Sequence, residues 1–154
     1  MKKMNLFFDG YCKDGQEKLL PKESGIYFVY RGVPYPNETV DIKELIYIGK
    51  ADDINQRFSP HDKHDLFVEQ CAVGEYVYYS YVLVRKSDLD IVENALVYNL
   101  KPVLNDKLKY KYNHTESVRL RMGGQCSELF GSTICVDVKA NGAADTYMEE
   151  VIDL

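Results

Sequence analysis

The sequence predicts a mixed α/β protein of the α+β kind, and three observations carry that prediction. Short runs rich in tyrosine and β-branched residues recur at 25–31, 44–49 and 76–84, which is strand composition. Two other stretches carry helix punctuation: Asp52 stands ahead of DINQRF with Pro60 beyond it, and DLDIVENALVYNL is closed by Pro102. A third region, 117–139, alternates apolar and polar residues in two runs on either side of a glycine-rich turn. At 154 residues and 45% hydrophobic content, the chain can bury a core as one domain or as a domain with an extension.

Taken in order, residues 1–24 show no clear period and contain Asp9-Gly10 and Asp14-Gly15, so residues 1–22 are expected to be a mostly irregular lead-in. GIYFVYR at 25–31 reads as a strand ending at Gly32, and ELIYIG at 44–49 as its antiparallel partner. Pro34, Pro36 and Asn37 predict an enlarged loop between them, at 32–43. Asp52 can cap a short helix that carries Arg57, and Pro60 disfavours helical geometry at Ser59. The run YVYYSYVLV at 76–84 is the strongest β signal in the chain and is expected to be central in its sheet. Ser87 with Asp90 three residues on makes a capping-box-like start for the next helix. Farther along, Val118, Leu120 and Met122 face one way and Arg119 and Arg121 the other. Ile134, Val136 and Val138 alternate in the same manner, which predicts a hairpin over 117–139. Residues 143–154 are acidic with weak helical character, and the chain has no internal repeat or low-complexity tract.

The net charge of −5 weighs against a strongly anionic partner, but charge is unevenly spread. Lys107, Lys109, Lys111, Arg119 and Arg121 stand against Glu116 alone over 107–122, a local basic patch. The first eight residues are too short for a signal-peptide core or a membrane span, so a cytoplasmic protein with no membrane partner is expected. Cys12, Cys71, Cys126 and Cys135 are widely spaced and read as free thiols. His61, His64 and Cys71 fit no standard zinc spacing.

Glu93 is the most informative residue. On a helix, Leu89, Val92, Leu96 and Leu100 form one stripe, and Glu93 lies at its edge. Burying an unpaired carboxylate costs several kcal/mol, so this one snorkels, pairs with a cation or binds a metal. From the helix alone, a rim glutamate and a metal ligand stand level. Tyr27 and Tyr47 lie where they can converge across the predicted hairpin, although with 13 tyrosines in the chain packing is the ordinary role for any one of them.

Taken together these residues resemble the GIY-YIG nuclease family. Gly25-Ile26-Tyr27 and Tyr47-Ile48-Gly49 are its two defining triplets, and YIGKADDINQRF is similar to the nuclease module of bacterial nucleotide excision repair. Arg57 ten residues after Tyr47, His61 four later, Glu93 on the next long helix and Asn105 in P-V-L-N follow in the family's order. The resemblance covers a module at 23–106, with a longer stretch between the triplets than is usual, and leaves 107–154 as an extension. It implies a three-stranded antiparallel sheet flanked by helices, here with the extra C-terminal hairpin.

The activity implied is that of a hydrolase, an endonuclease cutting phosphodiester bonds with one divalent ion, Mg²⁺ or Mn²⁺, on Glu93. In that reading Tyr47 or Tyr27 serves as general base or orients the attacking water. A free phenol titrates near ~10, so Lys50, Arg57 or the metal would have to favour the phenolate. Arg57 would stabilise phosphoryl charge, His61 accept a proton from tyrosine or touch phosphate, and Asn105 hold the end of the Glu93 helix. Lys50, Lys109, Lys111, Arg119 and Arg121 are the expected nucleic-acid contacts, with DNA the expected substrate in a bacterial or phage-like setting. A protein partner or self-association stays open. The competing reading is a non-catalytic nucleic-acid or protein-binding module on the same fold.

Overall fold

The first twelve residues of structure depart from the sequence expectation. In a computed structural model that describes residues 1–125 and 133–150, strand β1 (Lys2–Lys13) lies in the middle of a seven-stranded sheet. Its outer half alternates, with Leu6 and Phe8 buried and Asn5, Phe7 and Asp9 exposed. The Asp9-Gly10 turn signal is absorbed by an irregularity inside the strand, where Gly10 takes φ +147 and the register against the neighbouring strand shifts between Gly10 and Cys12. Long-range pairing on both sides overrides the local signal.

The remaining strands are β2 (Gly25–Tyr35), β3 (Thr39–Ala51), β4 (Tyr76–Leu83), β5 (Val118–Gly124), β6 (Thr133–Val138) and β7 (Ala144–Glu149), in the spatial order β3-β2-β4-β1-β5-β6-β7. The expected three-stranded antiparallel sheet is present as β3-β2-β4 but continues through four further strands, with β1 and β5 running parallel. The class is α+β as expected, and β4 is central as expected.

Several boundaries move. The enlarged loop is instead a longer hairpin: β2 and β3 stay paired to Tyr35↔Thr39, and left-handed Asn37 and Glu38 turn the chain. Pro34 fits because β2 pairs with β4 only as far as Gly32↔Tyr76, so it sits where the strand has one neighbour. Helix α1 (Ile54–Arg57) is capped by Asp53, not Asp52: the Asp53 carboxylate accepts the Gln56 N–H at 3.0 Å. A helix the sequence did not predict, α2 (His64–Glu69), buries Phe67. Helix α3 (Leu89–Leu100) follows a 3₁₀ turn and has no Ser87 capping box; its cap residue Asp88 instead binds Lys2 at 2.9 Å. The acidic tail forms strand β7 through Glu149 where a weak helix was expected, because Ile134↔Met148 and Val136↔Thr146 pair it to β6. The β5–β6 pair is antiparallel as expected; Cys126 and the turn beside it lie outside the described residues.

Apolar side chains fill both faces of the sheet. Helix α3 covers one, packing Val92, Leu96 and Val97 with Ile26, Phe28, Ile48, Val82 and Leu120. Helices α1 and α2 cover the other only beside β2, β3 and β4, over Tyr27, Val29, Phe58, Phe67 and Tyr79. Cys12, Cys71 and Cys135 are free thiols. Among the described residues no helix is long and apolar enough to cross a membrane.

Candidate active site

Strand β3 is an edge strand, and what covers its outer edge organises the site. The Leu104 N–H bonds the Ile46 carbonyl at 3.0 Å. Asn105 then grips Ile48 with both ends of its amide, Oδ1 accepting the Ile48 N–H at 3.0 Å and Nδ2 donating to the Ile48 carbonyl at 2.9 Å. Two residues on, the backbone of Lys50 lies near enough to the Glu93 carboxylate to help hold its pKa down. Asn105 therefore splints the middle of the second triplet; the expected clamp on the end of the Glu93 helix is a clamp on β3. Glu93 and Asn105 stand in line on one strand edge, and with Tyr47, Lys63 and Lys107 they line a cleft of about 340 Å³.

Both triplets contain glycine for steric reasons visible in the packing. A Cβ on Gly49 would lie 2.2 Å from the Tyr27 hydroxyl, and one on Gly25 would lie 2.2 Å from the Val82 carbonyl oxygen. The phenol end of the Tyr27 ring lies over Gly49, the residue opposite it in the β2–β3 ladder. Gly49→Ala is expected to destabilise the fold by about 1–3 kcal/mol or more, as overpacking does. Thermal melting checks this, and an unchanged midpoint would contradict the close approach.

Tyr27, Tyr47 and His61 form a chain of polar groups. His61 is 5% exposed, and its Nδ1 accepts the Lys63 N–H at 3.0 Å, which leaves the neutral ring its proton on Nε2. Burial, and then the Arg57 charge, push its pKa down to about 4, so the ring is neutral at pH 7. Nε2 therefore donates to the Tyr27 oxygen 2.8 Å away. With Nε2 as donor, the Tyr27 hydroxyl keeps its own proton to direct elsewhere, and the Tyr47 ring centre lies 6.2 Å from that of Tyr27. Tyr27 is fully enclosed and burial drives its pKa far up, with Tyr47 and Glu93 adding to the rise and Arg57 opposing it. Tyr47 is half-buried; burial and then Glu93 raise its pKa, while Arg57 and the nearby Tyr27 hydroxyl lower it. The expected transfer of a tyrosine proton to His61 does not fit this tautomer, since its Nε2 is already a donor.

Arg57 projects from α1 into a second, larger cleft of about 660 Å³ that it lines with Lys50, Gln56, Lys86 and Asp90. Its guanidinium rests on exposed Asp62 at 2.6 Å, not on the Asp53 one turn back. The Lys50 ammonium is paired with Asp90 on the first turn of α3. Among the described residues Glu93 thus has no side-chain cation of its own and is half-buried: burial raises its pKa, Lys50 opposes that, and Asp90 adds to it. A divalent ion fits such a carboxylate, with the rest of its oxygen shell from water and phosphate. Among the described residues no three His, Cys, Asp or Glu side chains are arranged to hold a metal, so Glu93 would be its single protein ligand.

The structure thus brings together Tyr27, Tyr47, Lys50, Arg57, His61, Glu93 and Asn105. It does not bring Arg119 and Arg121 to them, because β4 and β1 lie between β5 and the β2–β3 hairpin. Arg119 is moreover engaged within the sheet, by Asp137 at 2.6 Å and the Tyr147 hydroxyl at 3.0 Å. Arg121 is exposed beside Lys3. Sequence reading missed Asp62, Lys63 and Asp90; only Asp90 had a signal, its i, i+3 spacing to Glu93. Comparison of the chain with known protein families, curated proteins and solved structures finds no match.

Proposed function

We propose that this chain is a metal-dependent endonuclease of the GIY-YIG type, hydrolysing phosphodiester bonds in nucleic acid, DNA in the first place. The observation that carries the proposal is the gathering of two phenols, a guanidinium and a half-buried carboxylate within range of one another's charge, between two clefts.

Tyr47 takes the reacting position, because it is the end of the His61–Tyr27–Tyr47 chain that opens into the cleft with Glu93. Its oxygen accepts a hydrogen bond from the attacking water and aligns it with the phosphorus. Compensation of Glu93 removes the second-largest cause of the raised Tyr47 pKa, and Arg57 and Tyr27 then favour the phenolate as a general base. Arg57 exchanges exposed Asp62 for a phosphoryl oxygen, and its planar fork suits the charge that develops there. Lys50 can leave Asp90 for the same phosphate. Asn105 and buried His61 hold this geometry without touching the reacting atoms. Bound at Glu93, one Mg²⁺ or Mn²⁺ ion would supply charge neutralisation at the phosphate and at the leaving oxygen.

Purified protein incubated with plasmid DNA, single-stranded DNA and RNA tests the proposal, with Mg²⁺ in one arm and EDTA in the other. Cleavage of at least one substrate in Mg²⁺, stopped by EDTA, is expected. No cleavage at stoichiometric protein would leave a binding module as the better account.

A further inference from the structure

Residues 107–112 form a strap that runs out of the Glu93 cleft, and we propose that it seats an unpaired stretch of nucleic acid there, with Tyr110 as the surface on which a base stacks. The location beside the cut rests on the hydrolytic reading; the binding itself does not.

The strap is built and pinned. Asn94, 1% exposed on α3, donates to the Leu108 carbonyl at 3.3 Å and the Lys111 carbonyl at 3.0 Å, and accepts the Asn113 N–H at 2.7 Å. Tyr112 is buried, and its hydroxyl donates to the Glu116 carbonyl at 2.7 Å. With Leu108 and Tyr112 turned inward, Tyr110 stands out at 79% exposure between Lys109 and Lys111. At that exposure the ring buries little, so core packing does not account for it.

Charge points to the occupant. The Lys101 ammonium lies 5.3 Å from the Tyr110 ring centre and donates to the Lys109 carbonyl. Burial, and then the Lys109 charge, lower its pKa, so these cations crowd one another. Among the described residues none of Lys101, Lys107, Lys109 and Lys111 pairs with a carboxylate, in a chain whose net charge is −5. The inner end is continuous with the reaction site, since Lys107 and Leu108 line the same cleft as Tyr47 and Glu93. A ligand that meets both an exposed aromatic face and a cluster of ammonium groups carries flat rings and anionic charge on one chain. Nucleic acid does so, and only unpaired bases can stack on a protruding ring; in a duplex they are covered.

Fluorescence anisotropy in EDTA, with the full chain and labelled single-stranded and blunt duplex oligonucleotides of one sequence, tests this. Tyr110→Ala is expected to weaken single-strand binding by about fivefold to a hundredfold, the range for losing one base stack, and to leave duplex binding within about twofold. Tyr110→Phe should bind single strands as wild type does. Replacing Lys109 and Lys111 with alanine should weaken both ligands and flatten the salt dependence by roughly 1.5 in the log–log slope. Thermal melts matching wild type would separate these effects from unfolding.

Wild-type binding by Tyr110→Ala, equal losses on both ligands, or competition by polyglutamate as strong as by oligonucleotide would overturn the proposal. So would a wild-type chain that binds no single strand. Protein that binds single strands but cuts nothing would remove the hydrolytic reading and support the strap. Protein that cuts while Tyr110→Ala binds normally would do the reverse.

Discussion

Tyr47→Phe is expected to lower the single-turnover cleavage rate by about 10²- to 10⁴-fold, the usual range for losing a positioned acid–base group. Tyr27→Phe removes the hydroxyl that supports that group but not the group itself; a hydrogen bond to a charged partner is worth about 1.5–3 kcal/mol, so the expected loss is roughly ten- to a hundredfold. The order follows from the His61 tautomer. Lys63 fixes Nδ1 as an acceptor and Nε2 donates to Tyr27, which leaves the Tyr27 proton to support Tyr47 beside it. Only Tyr47 then faces the cleft that contains Glu93. Single-turnover rates of the two variants check this, and a larger loss in Tyr27→Phe would reverse the direction of the chain.

Glu93→Gln is expected to cost about 10³-fold or more in cleavage, since several kcal/mol of charge stabilisation rest on the cation this carboxylate holds. Its effect on the fold has the opposite sign. Burial raises the folded-state pKa of Glu93 above its ordinary 4.5, so its contribution to stability is fully present below the unfolded pKa and is lost as pH rises through the folded one. At pH 7 in EDTA the ionised group is a liability, and the neutral amide should melt at the same temperature as wild type or higher. Below about pH 4.5 that advantage should vanish, because both states then carry a neutral side chain. Melting curves at pH 7 and pH 4 measure it, and a clear loss of stability at pH 7 would make Glu93 a structural ion-pair partner.

What the sequence made legible was whatever local chemistry dictates. The two triplets read as strands because their tyrosine and β-branched residues favour that state, and their glycines are explained by close approach, Gly25 to Val82 and Gly49 to Tyr27. The edge position of Glu93 on its helix was legible from a period of 3.6. Features set by distant partners were not. Strand β1 hid behind Asp9-Gly10 because its pairing with β5 spans more than a hundred residues, from Lys2 to Val118. Strand β7 looked weakly helical until β6 lay beside it. The role of Asn105 depends on a strand edge 57 residues away, and the His61 tautomer on a backbone N–H that any residue but proline would supply at 63. The Arg119 alternation was read correctly, but Asp137 and Tyr147, which engage its guanidinium, come from neighbouring strands.

The sharpest test of a single-ion hydrolytic centre on Glu93 is a Mn²⁺ titration read in two ways, free ion by electron paramagnetic resonance and cleavage rate in the same samples. The account predicts one ion per chain, a rate that saturates at the same concentration as the binding, and loss of both in Glu93→Gln. Cleavage that persists in EDTA, or Mn²⁺ binding untouched by Glu93→Gln, would contradict it.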